Sequence, residues 1–133
     1  MQKERLIAAA DAVRGEFSFP GKRGFTAASV SAALITRKGS LYTGICIDVA
    51  CGMGFCAEHS AIADMLKHRE THVLEIVALN KHGIIPPCGR CREFLYQVNP
   101  ANIDTRVYLP QDNVATLDEL LPVHWLKFKG GVP

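Results

Sequence analysis

The sequence predicts an α/β fold, a three-layer α/β/α sandwich in which a mixed sheet carries helices on both faces. Periodic segments follow one another as helix, hairpin, helix, strand, helix, strand, short strand and helix. The chain has 133 residues, 48% hydrophobic and 21% charged, which supports one packed core in a single domain over residues 1–133. The two central helices each begin where a cysteine-bearing loop turns into an apolar-periodic segment, at Cys56 and at Cys88.

Residues Lys3 to Arg14 carry Leu6, Ile7, Ala10 and Val13 at helical spacing, and Gly15 can end that helix. Phe17 to Gly24 holds Pro20, Gly21 and Gly24 and reads as a loop, with Lys22 and Arg23 solvated. Ala28 to Thr36 and Leu41 to Asp48 read as strands joined by the turn Arg37-Lys38-Gly39-Ser40. Asp48 to Phe55 is a loop whose Gly52 and Gly54 either let backbone approach a ligand or simply permit the turn. A helix then runs from Cys56 to near Arg69, with its apolar residues at helical spacing.

Val73 to Asn80 is a short apolar strand expected to be buried on both faces. Lys81-His82-Gly83 turns the chain, and Ile84-Ile85 lead into a helix that Pro86 and Pro87 force to begin at or near Cys88. Asn99-Pro100 closes it. Ile103 to Leu109 reads as another strand, and Val114 as the opening of a short last one. Thr116 caps a helix over Leu117 to Leu121, Glu119 completing a capping box, and Pro122 stops it. Lys127 to Pro133 reads as a frayed tail, and His68, His72 and His82 as surface residues.

A net charge of +2 is too slight for the basic stripe a nucleic-acid binder needs, so a small-molecule partner is favoured. No apolar run approaches the ~20 residues of a membrane span, and the stretch Met1 to Leu6 lacks a signal-peptide apolar block. Five cysteines, an odd number, argue for metal or free thiols over a disulfide framework, and a cytoplasmic setting is expected.

The cysteines carry the chemistry. A thiolate at a helix N-terminus feels the positive end of the helix dipole and unpaired N–H groups, which lower its pKa. Cys56 together with Cys88 and Cys91, a C-x-x-C pair one turn apart, can hold one zinc ion and leave a fourth tetrahedral position for water. Glu58, two residues after Cys56, reaches past the metal without binding it, and a zinc-bound water and the carboxylate beside it are a hydrolase's nucleophile and base. Three thiolates leave the site at formal charge −1, so other groups must draw charge off the sulfurs. His59, Arg90 and Arg92 are the candidates, with His59 equally readable as a histidine satisfied within the core.

Cys56-Ala57-Glu58 followed by Pro87-Cys88-Gly89-Arg90-Cys91 matches the signature of zinc-dependent nucleobase deaminases. With Val30-Ser31-Ala32-Ala33-Leu34, the turn Arg37-Lys38-Gly39-Ser40 and Asp118-Glu119-Leu120-Leu121-Pro122, the chain resembles the small cytidine deaminases, and among them more closely the blasticidin S deaminases, from about Thr26 to Trp125. The resemblance implies a five-stranded mixed sheet, one zinc per subunit, a homotetramer with sites near subunit contacts, and hydrolytic deamination of a cytosine nucleoside at C4 by zinc-bound hydroxide. Glu58 would be the proton shuttle, and the Ala57 backbone would hold the polar edge of the base.

The match frays at the sugar. The family places Phe at Ala28, and a ribose-gripping Asn and Glu at Cys46 and Asp48. A cysteine is a weak hydrogen-bonder, which moves the expected substrate toward a cytosine nucleoside with an altered sugar, as in blasticidin S. Trp125, by the same resemblance, either lies over bound substrate or packs on its own domain. Two other readings compete. One is a structural zinc module, with Cys46 or Cys51 as fourth ligand; the other is a deaminase of nucleic acid.

Overall fold

The computed structural model describes residues 2–128, without the side chains of Lys127 and Phe128. Its elements are α1 (Lys3–Val13), β1 (Phe17–Ser18), β2 (Thr26–Thr36), β3 (Leu41–Asp48), α2 (Ala57–Lys67), β4 (Val73–Asn80), β5 (Gly83–Ile85), α3 (Gly89–Val98), β6 (Arg106–Tyr108), β7 (Val114–Thr116) and α4 (Leu117–Leu120), with 3-10 turns over Pro100–Asp104 and Trp125–Phe128. The strands form one mixed sheet in the order β1-β2-β4-β6-β7, with β3 also pairing β2 and β5 also pairing β4. β2 runs antiparallel to β4 and β4 parallel to β6. Among the described residues no helix is long and apolar enough to cross a membrane.

Alternation along the central strands builds the two outer layers. Ala32, Leu34, Ile76, Ala78 and Val107 face α2, α3 and α4, packing with Ala61, Ile62, Met65, Leu95 and Leu117. Their neighbours Ala33, Ile35, Val77, Leu79 and Tyr108 face the other way, onto Leu6 and Ala10 of α1. Successive residues of a strand point to opposite faces, so strands buried on both sides read as continuous apolar runs.

The sheet has seven strands where five were expected. The additional two are the short β1 and β5, which pair at the ends of β2 and β4. Phe17 and Ser18 pair with Ala27 and Thr26 inside the expected loop, since two residues are too few to carry an alternation. Gly83–Ile85 looked like a run-in to the next helix but folds back as a hairpin on β4. The expected strand Ile103–Leu109 is shorter, because Pro100–Asp104 coils into a 3-10 turn whose buried Asn102 donates to the carbonyls of Thr71 and Leu95. Leu74, placed in a doubly buried run, is 41% exposed. The capping box of Thr116 and Glu119 is present. The frayed tail falls largely on residues 129–133, outside the described residues.

Candidate active site

α2 and α3 both start on cysteine. Cys56 and Cys88 occupy the N-cap positions in extended conformation, and neither helix has a side-chain cap hydrogen bond. A helix start normally leaves several N–H groups without partners, which Ser, Thr, Asp or Asn would satisfy. Here sulfur stands in that place. Cys91 follows one turn into α3, buried, and the sulfurs of Cys56, Cys88 and Cys91 all lie within 4.8 Å of one another. Sγ of Cys88 is 3.3 Å from that of Cys56 and 3.5 Å from that of Cys91. Two sulfurs bonded to one tetrahedral zinc are separated by about 3.8 Å, so small side-chain adjustments fit the trio to the ion. Among the described residues neither Cys46 nor Cys51 joins them.

Charge at the three sulfurs is unevenly supported. Burial raises the Cys88 thiol, but the backbone N–H groups of Cys91 and Arg90 and the neighbouring thiols outweigh it, leaving Cys88 below the usual thiol range. Burial pushes the Cys56 thiol up, and the Cys88 thiol adds to the rise. Burial also pushes Cys91 far up, helped by the negative charge of Glu58. Without a cation, then, Cys56 and Cys91 hold their protons. A divalent ion would displace them.

Glu58 sits at the second position of α2, 4% exposed, on the wall of a pocket of about 240 Å³. Burial lifts its carboxyl above the usual carboxylate range, and its own N–H and the Cys91 thiol recover only part of that. Such a raised carboxyl in a cleft is poised to exchange protons. His59 is fixed on both sides. Its Nδ1 lies 3.3 Å from Sγ of Cys91, and its ring stacks on Phe94 at 4.4 Å between centroids. Burial, with the charge of Arg90, lowers its pKa, so the neutral ring is the form at the sulfur. Arg92 donates through Nε to the Pro87 carbonyl at 2.9 Å and through Nη1 to the Leu120 carbonyl at 3.2 Å, tying the turn before Cys88 to α4.

The same pocket is lined by Cys46, Asp48, Ala57, Cys56 and Cys88, and also by Ser29, Val30, Phe55, Ile85 and Pro86. Ala28 is buried elsewhere, with φ 68, inside an irregularity of the β2–β3 register between Ala27 and Ser31. That break in alternation brings Ser29 and Val30 to the pocket, and the sequence carried no sign of it. Cys46 makes more bonds than a weak hydrogen-bonder suggests: its sulfur accepts from the Val30 N–H at 3.3 Å, meets Ser29 Oγ at 3.3 Å and donates to Asp48 Oδ2 at 3.7 Å. Trp125 is 60% exposed and lies outside this pocket, its backbone N–H donating to Glu93 Oε1 at 3.0 Å. Arg90 lines a separate groove with His59 and Phe94.

Two glycines shape the approach. A Cβ on Gly44 of β3 would lie 2.3 Å from the Ala61 nitrogen and 2.5 Å from the Ala57 carbonyl oxygen, so the absence of a side chain lets the first turns of α2 lie directly on the strand. Gly54 comes equally close to the Ile47 carbonyl, so its freedom is used on the chain itself.

No family model matches the chain. A cytidine deaminase of Halalkalibacterium halodurans is 37% identical over 100 residues, covering 70% of this chain and 74% of that protein. The chain belongs to the cytidine deaminase family. Solved cytidine deaminases agree with that family assignment: the Mycobacterium leprae structure matches with a TM-score of 0.76 at 28% identity, over 92% of this chain and 99% of that one. The Burkholderia pseudomallei structure matches with a TM-score of 0.74 at 29% identity, over 94% and 100%. As a cytidine deaminase-type aminohydrolase, the protein has a cysteine trio compatible with zinc.

Proposed function

We propose that the protein hydrolyses the 4-amino group of a cytosine nucleoside, giving the uracil nucleoside and ammonia, with one zinc ion held by Cys56, Cys88 and Cys91. The convergence of three sulfurs from two helix starts beside the buried Glu58, in a member of this family, is the observation that carries the reading. Zinc in that position supplies a Lewis acid and a water activated near neutral pH. Glu58 would take one proton from water and pass it to ring N3, so that C4 becomes electrophilic and the hydroxide adds there. It would then move the proton of the new C4 hydroxyl to the amino group as the C4–N bond breaks and ammonia leaves. The Ala57 backbone holds the polar edge of the base. His59 and Arg92 are positioning residues, the first through the Cys91 sulfur and the second through the Pro87 carbonyl.

The sugar is held by Asp48, with Cys46 and Ser29 beside it on the pocket wall. Because the Cys46 sulfur is already engaged by Ser29, Val30 and Asp48, little of its capacity remains for a ribose hydroxyl, which supports a cytosine nucleoside with an altered sugar such as blasticidin S. The homotetramer and cytoplasmic setting implied by the resemblance belong to the same proposal. The half-covered Phe55 on the pocket wall, with exposed Met53 two residues before it in the chain, suits a subunit contact there, and sedimentation giving a four-chain mass is the expected result. An ammonia-release panel of cytidine, deoxycytidine, blasticidin S and sugar-modified cytosine nucleosides tests the activity. Release from at least one, abolished in Glu58→Gln at unchanged zinc content, is expected. Full metal with no turnover on any of them would favour a structural zinc module.

A further inference from the structure

The pocket that holds Glu58 is small. At about 240 Å³ it falls short of the ~300–1,000 Å³ typical of small-molecule sites. A second cavity of about 380 Å³ adjoins it, with Ser29 and Val30 forming part of both walls. The far side of that cavity comes from the residues after α1, Arg14 and Glu16, and from the β4–β5 turn, Lys81 and His82. None of these four belongs to the cysteine trio or its supports.

Its lining is rich in donors. Arg14, Lys81, His82 and the Ser29 hydroxyl can all donate, whereas Glu16 is the one carboxylate in the lining. Arg14 is anchored through Nε to Asp11 at 3.1 Å, which leaves the other nitrogens of its fork available. Among the described residues Lys81 has no ion-pair partner. Asp48, by contrast, lines the reaction pocket, so a negative charge on the substrate is repelled there and accommodated only beyond Ser29 and Val30. Arg14 is half-buried and Lys81 exposed at the mouth of the same cleft, and an arginine fork with a lysine ammonium facing one cleft is the usual partner set of a phosphate or carboxylate.

Resting on the deaminase reading, we infer that this second cavity is a subsite for an anionic group on the substrate's sugar, so that the enzyme prefers an acidic derivative of a cytosine nucleoside, a phosphate monoester or a carboxylate, to the neutral nucleoside. The base enters the Glu58 pocket, the sugar passes Ser29 and Val30, and its charged end meets Lys81 and Arg14.

Initial rates of ammonia release decide it, with cytidine, cytidine 5′-monophosphate and the 5′-carboxylate obtained by oxidising the 5′-carbon of cytidine as the three substrates. The kcat/KM of at least one acidic compound is expected to exceed that of cytidine by roughly tenfold or more, mainly through KM. Which of the two leads tells phosphate from carboxylate. Lys81→Ala should lower that ratio about tenfold and Glu16→Gln should raise it, with raised salt reducing it in the unmodified enzyme. A ratio of one or less, or a ratio unchanged in both variants, overturns the subsite while leaving the deaminase intact. Should none of the three be turned over, the wider panel with blasticidin S and sugar-modified cytosine nucleosides decides the deaminase reading, which fails if no compound in it releases ammonia. The subsite is then decided by calorimetric binding, expected to be tighter for cytidine 5′-monophosphate than for cytidine and refuted by equal affinities.

Discussion

Glu58 and His59 are neighbours on the first turn of α2, and burial acts on them in opposite directions. The carboxyl is lifted above its usual range and the imidazole is kept neutral. Replacing Glu58 by Gln keeps the shape and removes the proton carrier, so kcat for ammonia release should fall by roughly 10²–10⁴-fold at unchanged zinc content, measured by metal analysis beside the rate assay. His59→Ala removes the Nδ1 contact to the Cys91 sulfur, and zinc affinity in a chelator competition should fall about 10–100-fold. Because burial raises the Cys56 and Cys91 thiols, zinc binding must displace protons, so its affinity should drop as pH falls. A pH-independent affinity would contradict this.

At the scale of elements, the helix starts were legible and the surfaces between elements were not. Pro86 and Pro87 forbid helix before Cys88, and α3 begins at Gly89. Thr116 with Glu119 is a local signal, and that box formed. Gly44 carried no such signal, since its role exists only once α2 lies across β3. Gly44→Ala should therefore push α2 from the strand and cost about 1–3 kcal/mol in a urea titration, with zinc binding weakened too. Thr116→Ala should cost about 1 kcal/mol and leave zinc affinity within twofold, because its loss stays at α4. The pocket wall at Ser29 and Val30 was hidden for a similar reason: a local break in strand register reassigns faces, and alternation alone cannot reveal it.

Across the whole molecule, the three-layer order followed from the alternation of helical and strand periods, whereas β1 and β5 were too short to carry a period at all. Two buried carboxylates, Glu75 and Glu70, are held by side-chain donors. Desolvation raises Glu75, but hydrogen bonds from the Tyr108 hydroxyl and the Gln2 N–H, with the charge of Arg106, outweigh it and leave the carboxyl depressed. Glu70 is depressed by donors from Thr36 and Tyr42. A depressed carboxyl stabilises the fold above its unfolded pKa of about 4.3, and that contribution is lost as pH falls through the folded value. Thermal stability should thus decline on acidification below that point. Tyr108→Phe, which leaves Glu75 short of a partner, should cost about 1–3 kcal/mol at neutral pH.

The account depends on a metal held by three sulfurs with one ligand from solvent. X-ray absorption at the zinc edge of the purified protein tests this most directly. It should give one zinc per chain with three sulfur neighbours and one oxygen neighbour, a pattern retained in His59→Ala. No zinc, or a fourth ligand supplied by the polypeptide, would contradict it.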